Sequence, residues 1–245
     1  MQLQIISDVH VDIAGSFELP QAADYLVVAG DFGNGTKYAK KLLTRWAKQW
    51  KKIFFVLGNH DYYCNGDVLA QEIDLRLWLQ RLPNCIWLND DVYEDEEHGV
   101  LLYGGTMWTK FWDSPISAEI ARTGMNDFRY IKFDERNLLP SDVVDWHERF
   151  RKGLRNCQAL YGTPDIVVSH HGPSSLSITE GYHADPLNPA YIEQMGDVLC
   201  SKTTWIHGHT HNRCEFIAPD LHDSRVINWS RGYEKGSVPD KVITV

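Results

Sequence analysis

Short apolar runs recur along the chain, and many of them end abruptly in polar residues. Residues 53–57, for example, are Ile-Phe-Phe-Val-Leu, followed at once by Gly58, Asn59, His60 and Asp61. Such runs, bounded by turn residues, are typical of buried β-strands. The strands predicted in this way are residues 2–6, 25–29, 53–57, 85–88, 100–103, 165–169, 204–206, 215–217, 225–227 and 242–244.

Helical periodicity appears between several of these strands. Residues 37–50 place Tyr38, Leu42 and Trp46 on one face, and residues 141–161 form the longest predicted helix, with His147 a polar or flanking position. Residues 67–82 predict a helix capped by Asp67, with core candidates Leu69, Ile73, Leu77 and Leu79. Strands alternating with helices indicate an α/β fold, in which ligands bind beyond the carboxyl ends of the strands. Because no linker or compositional break divides the chain, we expect residues 1–245 to form a single domain.

Composition narrows the class of protein. The chain is 43% hydrophobic and 23% charged, as expected of a soluble globular protein. A net charge of −9 argues against sequence-independent nucleic-acid binding, and the run at residues 94–97 predicts a solvated acidic hairpin tip. No apolar run reaches membrane-spanning length. The five cysteines form no CxxC pair, which predicts reduced thiols in a cytoplasmic protein.

The polar residues that follow the strands are metal-competent. Each taken alone has a plain structural explanation, such as a cap, a turn or a surface histidine. Together they are seven donors, too many for one ion but enough for two if Asp31 bridges: Asp8, His10, Asp31, Asn59, His170, His209 and His211. Carboxylate, amide and imidazole donors without thiolate suit Mn, Fe, Zn or Co. Two divalent ions outweigh the two carboxylates, which favours an anionic, phosphate-like substrate.

In order and spacing, Asp8-Val9-His10, Gly30-Asp31, Gly58-Asn59-His60-Asp61, His170 and Gly208-His209-Thr210-His211 resemble the motif blocks of the calcineurin-like metallophosphoesterase superfamily. The likeness is closest to its small bacterial-type single-domain members. It implies a four-layer α/β/β/α sandwich of two mixed sheets flanked by helices.

The resemblance also implies roles for individual residues. One metal would be held by Asp8, His10, Asp31 and His211, and the other by Asp31, Asn59, His170 and His209. His60 would protonate the leaving oxygen, and Asp61 would orient the His60 ring. The cofactors implied are two divalent transition-metal ions, with Mn first and Fe, Zn, Ni or Co as alternatives.

The substrate pocket is less defined by sequence. Many relatives carry an arginine after the Gly-Asp block, where this chain has Phe32-Gly33-Asn34, so Asn34 becomes the candidate phosphate contact. The aromatic segment 106–139 either lines a pocket or forms a satellite cluster over the sheet edge. A looser resemblance to small bacterial phosphoesterases adds five pocket candidates: Trp108, Asn126, Arg129, His183 and Arg231.

We therefore expect a metal-dependent phosphoesterase in which a hydroxide bridging the two ions attacks phosphorus. The substrate would be a small phosphorylated molecule, possibly a nucleotide, and more readily a phosphodiester than a monoester. The alternatives are a phosphomonoesterase, a non-catalytic binding module on the same fold, or a nuclease. A nuclease would need a basic track, for which the sequence offers one helical cluster that is more simply a solvated face: Arg149, Arg151, Lys152 and Arg155. The oligomeric state has no sequence signal.

Overall fold

Two mixed β-sheets pack face to face in the computed structural model, which describes residues 1–63 and 66–245. The strands of the first sheet are β1 (Gln2–Ile6), β2 (Tyr25–Ala29), β3 (Lys52–Val56), β4 (Cys85–Trp87) and β13 (Val242–Thr244). Those of the second are β5 (Asp91–Asp95), β6 (Val100–Gly105), β9 (Ile166–Ser169), β10 (Thr204–His207), β11 (Cys214–Ala218) and β12 (Ser224–Asn228). The first sheet has strand order β13-β1-β2-β3-β4 and the second has order β11-β12-β10-β9-β6-β5.

Helices cover the outer face of each sheet. Helices α1 (Thr36–Trp46) and α2 (Val68–Leu79) lie over the first sheet, and α5 (Pro140–Tyr161) lies over the second. A third cluster fills the space between the sheets, with Leu3, Val27, Phe54, Val168 and Ile206 at its centre. Because the central strands are covered on both faces, they are almost continuously apolar. The predicted four-layer α/β/β/α sandwich is thereby confirmed.

The segment between β6 and α5 folds into small elements at the strand ends. These are α3 (Pro115–Gly124), α4 (Asp127–Tyr130) and a short hairpin of β7 (Lys132–Phe133) with β8 (Arg136–Asn137). A further short helix, α6 (Asn188–Tyr191), follows β9. None of the helices in the described ranges is long and apolar enough to cross a membrane.

The buried face of α2 differs from the one predicted. Leu69, Ile73 and Leu77 are 54%, 60% and 59% exposed, while Leu75 is fully buried. The predicted cap is present, since the Asp67 side chain accepts a hydrogen bond from the Leu69 nitrogen. The helix carries leucines on both of its faces, so spacing alone does not select the face that packs on the sheet.

Two polar positions are more buried than expected. His147 is fully buried on α5, where its Nδ1 lies 3.0 Å from the carbonyl oxygen of Met107. Asp95, within the acidic run, is also fully buried and pairs with Lys52 at 2.5 Å. A charged side chain can be buried when an opposite charge and hydrogen bonds replace its water, and composition does not reveal that pairing.

Candidate metal centre

Strand ends from both sheets meet at one edge of the sandwich. Parallel strands β1, β2 and β3 run side by side in the first sheet, and β6, β9 and β10 do so in the second. Backbone hydrogen bonds tie the loops beyond them together, including Asp8 N to Gly30 O at 3.0 Å and Gly208 N to His170 O at 3.0 Å. The loops that carry the seven predicted ligands therefore surround a common point.

Four of those side chains form the first cluster. Ligand atoms of Asp8, His10, Asp31 and His211 all lie within 4.8 Å of one another. His10 Nε2 is 3.1 Å from His211 Nε2, and His211 Nε2 is 3.3 Å from Asp8 Oδ1. Donor atoms about 2.1 Å from a transition-metal ion lie about 3 Å apart, which matches this spacing.

The second cluster shares Asp31 with the first. Ligand atoms of Asp31, His170 and His209 lie within 4.8 Å of one another. Asn59 belongs to the same group, because its Oδ1 is 3.0 Å from His170 Nε2. His170 Nδ1 donates to the Ala29 carbonyl at 2.9 Å, which leaves Nε2 facing the cluster.

Asp31 Oδ2 lies between the two clusters. It is 3.5 Å from His10 Nε2 and 3.4 Å from His170 Nε2. Asp31 is only 1% exposed, and no donor in residues 1–63 or 66–245 gives Oδ2 a hydrogen bond. A buried carboxylate oxygen without a donor is costly, and a shared cation would satisfy it.

The ionisation states of the clusters fit cation binding. Burial alone would raise the pKa of Asp31, but the neighbouring imidazoles of His170 and His10 hold the pKa of that carboxyl well below its usual range. Burial lowers the pKa of His10 to about 4 and lowers that of His209 well below its ordinary value. Ionised carboxylates and neutral imidazoles are the forms that ligate metals.

His170 differs from His10 and His209 in this respect. Burial lowers its pKa, but the carboxylates of Asp31 and Asp8 outweigh burial and raise the pKa to about 9. The proton on this ring lies where a second cation would be, and metal binding at such sites releases protons. The donor set therefore fits two divalent cations that share Asp31.

The backbone of the ligand loops is unusual. Five of the predicted ligands have left-handed φ values between 41° and 66°: Asp8, His10, Asp31, His209 and His211. Non-glycine residues adopt this region at a cost, and such outliers cluster at functional sites. Packing is also tight, because a Cβ on Gly58 would lie 2.1 Å from Asp31 Oδ1. Any side chain at position 58 would displace the central carboxylate.

His60 faces the cleft, but its partner is not the one predicted. Its Nδ1 donates to Asn34 Oδ1 at 2.8 Å, so Asn34 orients the ring and does not line the cleft. Asp61 instead accepts backbone hydrogen bonds from Gly58, Asp31 and Phe32 at 2.9, 2.9 and 3.0 Å. Asp61 thus fastens the Asp31 loop to the Asn59 loop. The pairing of Asn34 with His60 was hidden in sequence because 26 positions separate the two residues.

The orientation of the Asn59 amide depends on a residue that sequence reasoning missed. Asn59 Nδ2 donates to Asp127 Oδ1 at 2.8 Å, and the Tyr63 hydroxyl donates to the same oxygen. Asp127 is 3% exposed. The signal in the sequence is the segment Met125-Asn126-Asp127-Phe128-Arg129, whose resemblance to relatives predicts only Asn126 and Arg129 as site residues.

A cleft of about 500 Å³ opens above the two clusters. Its floor includes Asp31, Asn59, His60, His209 and His211. Its walls come from the end of α3, the segment around α6 and the loop after β12, and consist of Tyr63, Gly124, Met125, Asn126, Ile178, Thr179, Tyr182, Asp185, Asn188, Tyr191, Thr210 and Tyr233. Clefts of this size hold small organic ligands.

Of the five further pocket candidates, Asn126 alone lines this cleft. Trp108 is 5% exposed and packs on Trp146, with ring centroids 5.4 Å apart, so it belongs to the core. Arg129 donates to the Thr123 carbonyl at 2.7 Å, and His183 lies 3.1 Å from the Ile178 carbonyl.

Arg231 is a structural residue and not a pocket residue. It is 4% exposed and donates to the carbonyl oxygens of Val9 and Ala14 at 3.0 Å each. A buried guanidinium needs such acceptors, and these acceptors belong to the loop that carries His10. Arg231 therefore fixes the shape of that loop.

Comparisons with known proteins agree with this geometry. The chain is 30% identical over 246 residues to the uncharacterized protein L509 of Acanthamoeba polyphaga mimivirus, covering 88% of this chain and 86% of that protein. The crystal structure of phosphopantetheinyl hydrolase from Mycobacterium tuberculosis is similar in fold, with a TM-score of 0.69 at 17% identity over 95% of this chain and 89% of that one. The crystal structure of TT1561 of Thermus thermophilus has a TM-score of 0.56 at 12% identity, covering 100% and 97% of the two chains. Residues 1–213 match the family model of the calcineurin-like phosphoesterases, and the chain belongs to that family of hydrolases acting on phosphoester bonds.

Proposed function

We propose that this protein hydrolyses a small phosphodiester at a centre of two divalent transition-metal ions. The observation that carries the proposal is Asp31 Oδ2, which lies between two histidine clusters at the floor of the cleft. Asp8, His10, Asp31 and His211 would hold one ion, and Asp31, Asn59, His170 and His209 the other. Mn is the first candidate by the family resemblance, with Fe, Zn, Ni or Co as alternatives that the carboxylate, amide and imidazole donors also accept.

The bound cations would supply Lewis acidity and lower the pKa of water at the site. The chain itself would supply the proton for the leaving oxygen. His60 is suited to this because its Nδ1 donates to Asn34 Oδ1, which leaves Nε2 free to face the cleft as the atom that would pass a proton to the leaving oxygen. Tyr233 Oη lies 3.5 Å from that nitrogen and limits the positions the ring can take. A positioned general acid accelerates such reactions about 10²–10⁴-fold.

The shape of the cleft supports a diester. Its volume of about 500 Å³ leaves room for two organic groups around one phosphorus. Tyrosine rings at positions 63, 182, 191 and 233 offer flat apolar surfaces on which such groups can pack. In this proposal these rings, and not the aromatic side chains of segment 106–139, provide the aromatic surface for the substrate.

The nuclease alternative has little support in the side-chain contacts. Arg149 pairs with Asp90 at 2.5 Å, and Arg151 pairs with Asp197 at 2.5 Å. These arginines are neutralised within α5 and its surroundings, so they do not form a free basic track. A cytoplasmic location agrees with the free thiols of Cys85, Cys157, Cys200 and Cys214, while Cys64 lies outside the described residues.

The test is metal analysis of the purified protein followed by turnover with each metal restored. Methyl p-nitrophenyl phosphate and p-nitrophenyl phosphate form a matched diester and monoester pair. We expect metal-dependent turnover of both, with the larger kcat/KM for the diester. Turnover that persists after chelation, or a larger kcat/KM for the monoester, would contradict the proposal.

A further inference from the structure

We infer that the cleft selects an ester with a single phosphoryl group whose remaining part is uncharged or cationic, and that Asp185 enforces this selection. The inference rests on the proposed function. It concerns the wall of the cleft that residues 178–191 contribute, which we call the outer cleft: Ile178, Thr179, Tyr182, Asp185, Asn188 and Tyr191.

The charge of the cleft lining favours a substrate with a single phosphoryl group. Within the described part of the chain, no lysine or arginine side chain lines the cleft. Positive charge is therefore confined to the floor, where two divalent cations would exceed the charge of Asp8 and Asp31. One phosphoryl group is matched there, but a second phosphate or a carboxylate on the substrate would find no cation. Sites that bind further phosphates supply arginine or lysine for them.

The two nearby arginines, Arg231 and Arg129, are already engaged in hydrogen bonds. Arg231 donates to the carbonyls of Val9 and Ala14, and Arg129 donates to the carbonyl of Thr123. The Arg231 guanidinium is held by main-chain acceptors, and that of Arg129 also donates to Asn126 Oδ1 at 3.4 Å. Neither arginine lines the cleft. A substrate with two anionic groups would have to break these bonds to recruit either arginine.

Asp185 places a negative charge in the wall of the outer cleft. It is half-buried, it lines the outer cleft, and its Oδ1 accepts a hydrogen bond from the Leu187 nitrogen at 2.8 Å. That bond fixes the carboxylate in place without neutralising it. Its backbone nitrogen donates to the Tyr182 carbonyl at 2.9 Å, so residues 182–185 form one turn of this wall.

Asp185 lines the same wall of the cleft as Tyr182 and Tyr191. A fixed carboxylate beside tyrosine rings repels anions and attracts ammonium groups. For a partly desolvated site we expect such a charge to change affinity about tenfold.

The test uses three p-nitrophenyl phosphodiesters that differ in the charge of the second arm: methyl (neutral), choline (cationic) and 3-carboxypropyl (anionic). We expect the metal-loaded protein to hydrolyse the carboxypropyl ester with a kcat/KM about tenfold below that of the methyl ester. The choline ester should be hydrolysed at least as well as the methyl ester. Asp185→Asn keeps the oxygen that caps Leu187 and should remove most of the difference between the three esters.

Asp74→Asn provides the control, because it removes the same charge from an exposed position on α2. It should leave the preference intact. Equal kcat/KM for all three esters in the unmodified protein, or an unchanged preference in Asp185→Asn, would overturn the inference. Failure of the proposed function would look different, since the methyl ester would then not be hydrolysed with any restored metal.

Discussion

Asn59 Nδ2 donates a hydrogen bond of 2.8 Å to Asp127 Oδ1, and this bond sets which end of the Asn59 amide faces the metal centre. The two ends of an amide side chain are nearly equal in shape but opposite in hydrogen-bonding character. With Nδ2 held by Asp127, Oδ1 is left to point towards His170 Nε2, 3.0 Å away. A carboxylate outside the ligand set thus determines whether Asn59 can be a ligand.

Asp127→Asn should weaken metal binding at the cluster that contains Asn59. The amide at position 127 can turn its own nitrogen towards Asn59 Nδ2. The Asn59 nitrogen would then lose its hydrogen-bond acceptor. We expect a loss of about 10–100-fold in affinity for one of the two metals, measured by calorimetric titration of the apoprotein. Asp134→Asn, at an exposed position near Asp127 in the chain, is the control. Two unchanged binding steps in Asp127→Asn would show that Asp127 does not orient Asn59.

Asp31 and His211 should differ in how many metals they control. Asp31 contributes to both clusters, whereas His211 contributes to one. Asp31→Ala should therefore lower the bound metal from two ions per chain to fewer than one and abolish turnover. His211→Ala should retain about one ion, since only one ligand set is incomplete. Elemental analysis after gel filtration measures this, and equal metal loss in both variants would argue against a shared carboxylate.

His60→Ala should separate catalysis from metal binding. We expect kcat to fall about 10²–10⁴-fold while both metals are retained, because in the proposed reaction the ring donates a proton, and the ring is not in either cluster. Asn34→Ala should lower kcat by a smaller factor, since the ring loses its 2.8 Å partner but keeps its nitrogen. Loss of metal from His60→Ala would assign that ring to the ligand set instead.

Folding stability should depend on pH through Asp95. Burial would raise the pKa of this carboxyl, but hydrogen bonds from Lys52 and His98 lower it below the ordinary value of 3.8. A folded-state pKa below the unfolded one adds stability that is present above about pH 4 and lost as pH falls through the folded pKa.

We therefore expect Asp95→Asn to lower the free energy of unfolding at pH 7 by about 2 kcal/mol, because it leaves Lys52 without its partner. The difference between the two proteins should shrink when urea unfolding is repeated below pH 3. A constant difference at both pH values would mean that packing, and not charge, accounts for the effect.

Arg231→Met should act on stability. The guanidinium donates to carbonyl oxygens in the His10 loop, and losing these bonds leaves buried acceptors unpaired. We expect a loss of about 2 kcal/mol in the free energy of unfolding, with KM for methyl p-nitrophenyl phosphate changed less than about threefold. A large increase in KM at unchanged stability would instead show that Arg231 belongs to the substrate pocket.

The fold and the meeting point of the predicted ligands were largely accessible from sequence, for a definite physical reason. Strands such as Tyr25–Ala29 are apolar throughout because both faces are covered, and the polar residues that follow them lie at one sheet edge whatever the loops do. Parallel pairing alone brings Asp8, Asp31 and Asn59 together. Nothing about the loops had to be known in advance.

The pocket was less accessible because its members depend on side-chain pairing between distant segments. Trp108 and Arg231 have the chemistry of binding residues, but one is part of the core and the other binds main-chain oxygens. Asn34 lies in the loop that the sequence indicates, but its side chain binds His60 and does not line the cleft. Among the tyrosines of the cleft, Tyr182 and Tyr191 carry no periodic or motif signal, whereas Tyr233 follows Arg231 in a segment that sequence resemblance singles out.

The left-handed backbone conformation of the predicted ligand residues serves the site at the expense of thermal stability. Each of these conformations costs about 1–2 kcal/mol in a residue that has a side chain, and glycine at the same position would relieve it. Random libraries of this chain screened only for heat resistance should therefore enrich glycine at positions 10, 209 and 211. Positions 8 and 31 differ, because Asp8 and Asp31 accept backbone hydrogen bonds from His209 and His60 that glycine would leave unmade. The selected variants would be more heat-stable but would lack predicted metal ligands, so a useful screen must require turnover as well.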